Sequence, residues 1–272
     1  MAFSKACPLP DLGLANEEPV WRFMSLTKLL DLLISNSLYF TQIKILREND
    51  PYEYEPWEFE RKVAEYIDQD DEAAFRFTSV NDEVSLELKE KMIKNTRETF
   101  GMSGLRNRRG VWGRSMYVSC WHVSKDEPAG LWKQYSDEFE GVAIKSTIGG
   151  LRASLDAAPE ELHLGVIKYD NPKTYNQYDL NLLFPAFRKR NNFKHENELR
   201  ILFFDREQDF ADSDKVYSPG IKIPFERAKL ISKIVVGPKC EGWVLDTIEK
   251  TIHQICPELS VERSGLLNVP DY

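Results

Sequence analysis

The sequence predicts an α+β protein, a mixed and mostly antiparallel sheet carrying a helical insertion at 55–110, within one domain over 1–272. Three observations lead there. The second half holds short apolar, β-branched and aromatic runs of strand length, at 116–121, 141–145 and 199–204. Helical periodicities lie between them rather than in one block. The stretch from 55 to about 100 is charged, strongly acidic and helical in pattern, with no internal repeat.

Taken in order, 20–24 is a short apolar strand. Ser25 is placed to cap a helix in which Leu26, Leu29, Leu30, Leu33 and Ile34 recur at helical spacing; Asn36 stops it and 38–41 resumes as strand. Asn49-Asp50-Pro51-Tyr52-Glu53 has turn chemistry. Trp57, Val63, Ile67, Leu86, Met92 and Ile93 supply apolar positions in the helical insertion, and 102–113, rich in Gly and Arg, reads as a connector. Then follow a strand at 116–121, a short helix at 128–135, a strand at 141–145, a helix at 148–158 and a strand at 164–169. The pattern at 178–191 is helical despite Pro185, and it delivers the chain to the strand 199–204. Strands at 221–224 and 230–236, an amphipathic helix at 243–256 and a terminal strand complete the chain.

Hydrophobic content of 42% and charged content of 29% are those of a soluble globular protein. No apolar run approaches the roughly 18 residues of a membrane span. Residues 1–10 lack the apolar core of a signal peptide, so a cytoplasmic protein with no membrane partner is expected. Cys7, Cys120, Cys240 and Cys256 are scattered and the four histidines are unclustered, which argues against a disulfide scaffold or a structural zinc; no metal is expected. A net charge of −8 gives no global attraction to nucleic acid. Locally, Arg106, Arg108, Arg109 and Arg114 form one basic cluster and Arg188, Lys189, Arg190 and Lys194 another. Such clusters are either solvated loops or a grip for phosphates and nucleic acid.

The stretch from Phe193 to Phe204 carries the most chemistry. Glu196 and Glu198 stand two apart where polar residues give way to an apolar run. If the strand begins by Glu196, both carboxylates point to one face and need a cation, a proton or a substrate between them. The alternative is an edge strand whose acidic pair is solvated or matched by Arg200 or Lys194. No P-loop, dinucleotide-binding glycine motif, nucleophile elbow or zinc-protease motif occurs. Cys120 and His122 are two apart, but aromatic neighbours and the lack of an orienting acid weigh against a thiol nucleophile. What remains is a set of Arg22, Ser119, Glu196 and Glu198, each with an ordinary structural alternative: a surface ion pair, a small residue in a sheet, an edge carboxylate. Trp132 and Tyr135 read as packing residues or as a platform for a ligand.

Two resemblances bear on that set. Leu38-Tyr-Phe-Thr41, Asn49-Asp-Pro-Tyr-Glu53, Ser119-Cys-Trp121, Leu131-Trp-Lys-Gln-Tyr135, Gly141-Val-Ala-Ile144, the run 166–169, Lys194-His-Glu-Asn-Glu-Leu-Arg200 and Ile234-Val-Val-Gly-Pro238 follow one another along the chain. In this it resembles, over nearly its whole length, the bacterial family called domain of unknown function 2971. More remotely, the order of elements resembles the ADP-ribosyltransferase fold, in the class marked by Arg, Ser and Glu. That likeness implies a sheet core of that type. It places Arg22 on the pyrophosphate of NAD, Ser119 beside the catalytic carboxylate, Glu198 as the catalytic glutamate and Glu196 on the acceptor side; Tyr39, Trp132 and Tyr135 would flank the NAD. The Ser strand here reads Val-Ser-Cys where that class has Ser-Thr-Ser.

The resemblance implies an NAD-consuming glycosyltransferase that moves ADP-ribose to a nucleic acid or protein, or an NAD glycohydrolase when no acceptor is bound. Its setting would be bacterial toxicity or antiviral defence, with an antitoxin or regulator as partner. Two other readings stand beside it. A metal-dependent nuclease or phosphoesterase would use Asp50, Glu53, Glu196 and Glu198 as oxygen ligands, provided that the turn at 49–53 lies beside the glutamate strand. A non-catalytic binding module would hold a nucleotide or partner through Trp132, Tyr135 and the basic clusters.

Overall fold

The alternation of Val20, Arg22 and Met24 with Trp21 and Phe23 gives the first strand two different faces, and the layers build on both. The computed structural model describes residues 13–78, 84–136, 138–174, 183–206 and 217–269. Strand β1 (Pro19–Met24), helix α1 (Leu26–Ser35) and strand β2 (Ser37–Gln42) open the described chain. The Ser25 hydroxyl accepts the Lys28 amide as N-cap, and Asn36, at φ 48°, ends α1 in the left-handed region that asparagine tolerates. A 3₁₀ turn (Ile43–Glu48) and the 49–53 turn lead to a lobe of helices: α2 (Glu58–Gln69), α3 (Asp71–Arg76), α4 (Leu86–Phe100) and α5 (Met102–Ser115).

Helix α5 occupies the predicted connector at 102–113. Gly104 marks a close approach rather than a loop: a Cβ there would come within 2.3 Å of the Thr99 carbonyl, so the chain can turn tightly from α4 into α5 only with glycine at this position. Leu105 and Arg109, one turn apart, belong to its buried stripe.

The rest of the chain is β3 (Met116–Val123), α6 (Ala129–Tyr135), β4 (Val142–Thr147), α7 (Ile148–Ser154), β5 (Leu162–Val166), β6 (Lys168–Asp170), β7 (Arg188–Arg190), β8 (Glu198–Phe204), β9 (Gly220–Pro224), α8 (Arg227–Leu230), β10 (Lys233–Val236), α9 (Gly242–Ile255) and β11 (Val261–Arg263). The helix predicted at 178–191 does not form over its described part; residues 175–182 lie outside the described residues. A buried 3₁₀ turn (Phe184–Phe187) with Pro185 near its start, β7 and a second 3₁₀ turn (Asn191–Glu196) stand in its place. The backbone of 188–190 pairs with β6 instead of coiling. The strand predicted at 230–236 starts late, because α8 takes 227–230.

The main sheet runs β11-β10-β4-β1-β3-β2-β9, with β8 along the other edge of β3 and β5 beyond it. Its pairings are antiparallel except β10–β11, so the α+β class and the mostly antiparallel sheet hold. One feature of register positions the site. Both β1 and β2 pair with the same edge of β3, β1 at Trp21↔His122 and β2 at Thr41↔Val118, so the two strands part over the stretch of β3 between. Val20, Met24, Tyr117, Trp121, Leu199 and Ile201 share the largest core cluster with residues of α1, α7 and α9. The opposite face carries two smaller clusters, one around Met116, Val118, Leu202, Ile43 and Phe187, the other around Trp21, Phe23, Leu131 and Trp132. Cys120, Cys240 and Cys256 are free thiols, and Cys7 lies outside the described residues. Among the described residues no helix is long and apolar enough to cross a membrane.

The helical lobe is tied down by charge. Glu60 of α2 is buried; one oxygen accepts from Arg109 of α5 and the other from Arg188 of β7. Arg188 also lies over the Trp57 ring at 4.5 Å. Two basic residues expected to grip phosphates are therefore internal struts, because a buried guanidinium needs a buried acid. A Glu60→Gln change removes the charge both arginines share and is expected to lower stability by about 1–3 kcal/mol, read as a lower urea midpoint with an unchanged slope.

Candidate functional site: an acidic cleft at the strand fork

Between the two smaller clusters lies a cleft of about 540 Å³, within the range of small-molecule sites. Arg22, Asp50, Glu53, Tyr135, Lys189, Glu196 and Glu198 line it together with the aromatic rings of Trp21, Phe23 and Trp121, and Lys28 of α1 adds a second cation beside Arg22.

Arg22 sits in the fork where β1 and β2 part. Its Nη1 donates to Ser119 Oγ at 2.8 Å and its Nη2 to the Tyr39 carbonyl at 2.9 Å, bridging the diverging strands. Burial lowers this guanidinium to about 10, so it stays charged at neutral pH. Ser119 is fully buried and its hydroxyl also accepts from Trp121 Nε1 at 3.1 Å. In the β3–β8 register Cys120 and His122 stand opposite Arg200 and Glu198, so Ser119, one residue out of step with them, points to the other face. The expected contact between Ser119 and a glutamate is replaced by one with Arg22. Ser119 positions the arginine instead of a carboxylate.

Glu196 and Glu198 meet, but not by the geometry predicted. The strand begins at Glu198; Glu196 ends a 3₁₀ turn, and Asn197 between them takes φ 37° with its side-chain amide on the Val123 carbonyl at 2.6 Å. That left-handed residue, a conformation to which asparagine is suited, turns both carboxylates onto one ammonium. Lys189 Nζ lies 2.6 Å from Glu196 Oε2 and 2.9 Å from Glu198 Oε2. Glu196 Oε1 also accepts from Tyr135 Oη at 2.6 Å and Gln134 Nε2 at 3.1 Å. Its carbonyl contacts His122 Nδ1, which therefore carries the hydrogen. Glu198 is gripped by Arg200, Nε to Oε1 at 2.7 Å and Nη2 to Oε2 at 3.1 Å. Arg200, fully buried, reaches on to Glu53 Oε1 at 2.7 Å and the Ala186 carbonyl at 2.6 Å.

Electrostatics sort these groups. Burial alone would raise the Glu198 carboxyl; Arg200 and Lys189 more than reverse this and hold it well below the usual carboxylate range. Burial would lower Lys189, yet Glu198 and Glu53 raise it, so the ammonium keeps its charge. Tyr135 is pushed up by burial and by its bond to Glu196, so the phenol keeps its proton and donates. Burial also pushes up the Cys120 thiol, which makes it inert as a nucleophile. A depressed carboxyl adds stability that is fully present above its unfolded value near 4.5 and disappears as pH falls through the folded value. The stability difference between wild type and Glu198→Gln is therefore expected to shrink as pH is taken below about 4.5, as followed by urea unfolding at stepped pH.

Of the other residues expected at the site, Tyr135 is present. Trp132 is not: it is wholly buried in the cluster with Trp21 and Phe23, and its indole donates to Glu127 at 2.8 Å. Tyr39 contributes its carbonyl, while its partly exposed ring lies over Gly220, where a Cβ would come within 2.2 Å of it. Lys189 belongs to the cleft floor and not to a phosphate grip, and Arg190 pairs with Asp50 at 2.6 Å. Arg108 lies against the Phe100 and Trp112 rings, which leaves Arg106 and Lys194 as the exposed members of the two basic clusters. Glu53, Arg200 and Gln134 join the site from outside the leading set that the sequence singles out. Arg200 follows Glu198 by two on a strand, which puts them on one face; Glu53 carried no local signal beyond its turn.

The turn at 49–53 does lie beside the glutamate strand, as the metal-site reading requires. Yet Lys189 and Arg200 stand between the carboxylates, and among the described residues no group of three or more His, Cys, Asp or Glu is placed to hold a metal ion. No model of a known protein family matches the chain, and no curated protein matches it.

Proposed function

We propose that the cleft binds NAD and that the protein breaks its nicotinamide–ribose bond, passing ADP-ribose to a macromolecular acceptor or, without one, to water. The observation that carries this reading is the charge content of one cleft, lined by the cations Arg22 and Lys28 and by the Glu196–Glu198 pair. NAD carries both signs of charge as well, with an anionic pyrophosphate at its centre and a cationic nicotinamide ring at one end. The pyrophosphate would lie against Arg22, whose guanidinium is pre-set by Ser119 and Tyr39.

As the C1′–N bond breaks, its electron pair goes to the nicotinamide nitrogen and positive charge builds on the ribose. A carboxylate already ionised and fixed, as Glu198 is, stabilises that charge without reorganising. Glu196, fixed by Tyr135 and Gln134, lines the same space and takes the proton of the attacking hydroxyl or amine. The resemblance to the Arg-Ser-Glu transferases supports the same assignment, and through it a role in toxicity or antiviral defence.

Purified protein given NAD labelled in the adenylate moiety, with cell lysate as acceptor source, is expected to release nicotinamide and to label material sensitive to nuclease or to protease. The reaction is expected to be indifferent to a chelator. Intact NAD under these conditions would sink the proposal. Phosphoester cleavage that stops on chelation would transfer the site to the metal-dependent reading that the Asp50–Glu53 turn favours.

A further inference from the structure

The cleft floor carries more acid than base. Glu53, Glu196 and Glu198 are set against Lys189 and Arg200, while Asp50 is matched by Arg190. Within this network three carboxylates face two cations, one formal negative charge more than the network answers, and the three carboxylates are each 5% exposed or less. An unpaired charge at such depth is costly enough that a proton or a further cation must answer it.

The imbalance falls on Glu53. Its Oε2 and the Oδ2 of Asp50 are buried with no hydrogen-bond partner among the described residues, and both residues line the cleft. The ammonium of Lys189 is 3.9 Å from Glu53 Oε2, against 2.6 and 2.9 Å for the other two glutamates, so it serves those first. Backbone strain points to the same place. Tyr54, next in sequence, is buried at φ 57°, in the left-handed region that a residue bearing a side chain seldom adopts. Its ring lies against Arg109 at 5.0 Å, so the helical lobe holds the turn in that shape. The charged groups facing Glu53 are Arg200 and Glu198 of β8 and Lys189 of β7, and Asp50 of its own turn lines the same cleft. Burial raises the Glu53 carboxyl, and the two cations reverse this only in part.

We propose that Glu53 and Asp50 form a cation subsite in the cleft, whose two open carboxylate oxygens accept a positively charged group bearing N–H donors. The identity of the ligand rests on the NAD reading: the pyridinium ring with its carboxamide N–H groups is the end of NAD that fits. The site thereby prefers oxidised NAD to the reduced form, whose ring is uncharged.

The test uses the full chain and titration calorimetry with two pairs of probes: charged 1-methylnicotinamide against uncharged nicotinamide, and oxidised against reduced NAD. The charged member of each pair is expected to bind about tenfold tighter or more. Glu53→Gln is expected to bring both ratios near one, and Glu53→Asp to restore most of the preference. Equal binding of charged and uncharged probes, or a ratio unchanged in Glu53→Gln, overturns the subsite. Should that variant fail to fold, the wild type alone decides: equal binding of the charged and uncharged member of each pair overturns it as well. The two proposals fail separately. Glu53-dependent binding of 1-methylnicotinamide without binding or cleavage of NAD keeps the subsite and removes the NAD reading. NAD cleavage with no discrimination between probes does the reverse.

Discussion

Arg200→Met is expected to lower the thermal midpoint by about 10 °C or more, the largest stability loss of any single change at the cleft. Arg200 is wholly buried; it holds Glu198 through Nε and Nη2, and Glu53 through Nη1. Removing one partner of a buried pair leaves uncompensated charge and typically costs ~3–5 kcal/mol, and here two carboxylates are stranded. For a chain of this size each kcal/mol moves the midpoint by roughly 2–4 °C. Methionine keeps much of the volume and flexibility, so the loss reports charge more than a cavity. A double-mutant cycle supplies the check: Glu53→Gln together with Arg200→Met should be less harmful than the sum of the two. Additive losses, or a midpoint close to that of wild type, would mean that the Arg200 network contributes little.

The second large effect is on catalysis. Glu198→Gln is expected to cut nicotinamide release by roughly 10²–10³-fold, the scale seen when one preorganised electrostatic group is removed from a transition state. The amide occupies the same space and its oxygen can still accept from Arg200, so NAD binding should weaken far less than turnover. Glu196→Gln should spare hydrolysis more than transfer, since its assigned part is the acceptor's proton. A Glu198→Gln protein that turns over NAD at the wild-type rate would refute the assignment of that carboxylate. Loss of binding and turnover in equal measure would mark it as a structural residue.

Several of these residues could be picked out before any fold was known. Glu196 and Glu198 stand out because two acids at the edge of an apolar run are expensive unless something answers them. What answers them was illegible. Lys189 lies in a basic cluster that looks like a phosphate grip, and its neighbour Arg188 belongs to the buried strut on Glu60. One residue of shift along β7 separates a site residue from a lobe anchor, a distinction that depends on which way each side chain leaves the strand.

Ser119 and Trp132 take places other than those expected of them, for a related reason. Spacing says which residues share a face, but not which face meets the cleft. The β3–β8 register decided that, putting Cys120 with Arg200 and leaving Ser119 to Arg22 in the fork. Trp132 is placed by helix α6, which turns the indole into the core and Tyr135 onto Glu196.

The sequence by itself determined the class of fold, most strand positions, the capped first helix and the acidic helical lobe, since these follow from local periodicity and capping chemistry. It also pointed the candidate chemistry to carboxylates rather than to thiols or clustered histidines. Only the tertiary structure decided that Arg22 bridges two parting strands, that Lys189 draws both glutamates together, and that Glu53 joins them from a turn 147 residues before Arg200. Charge pairing in a buried cleft acts through space and in a low dielectric, so it leaves no period or motif along the chain from which it could be read.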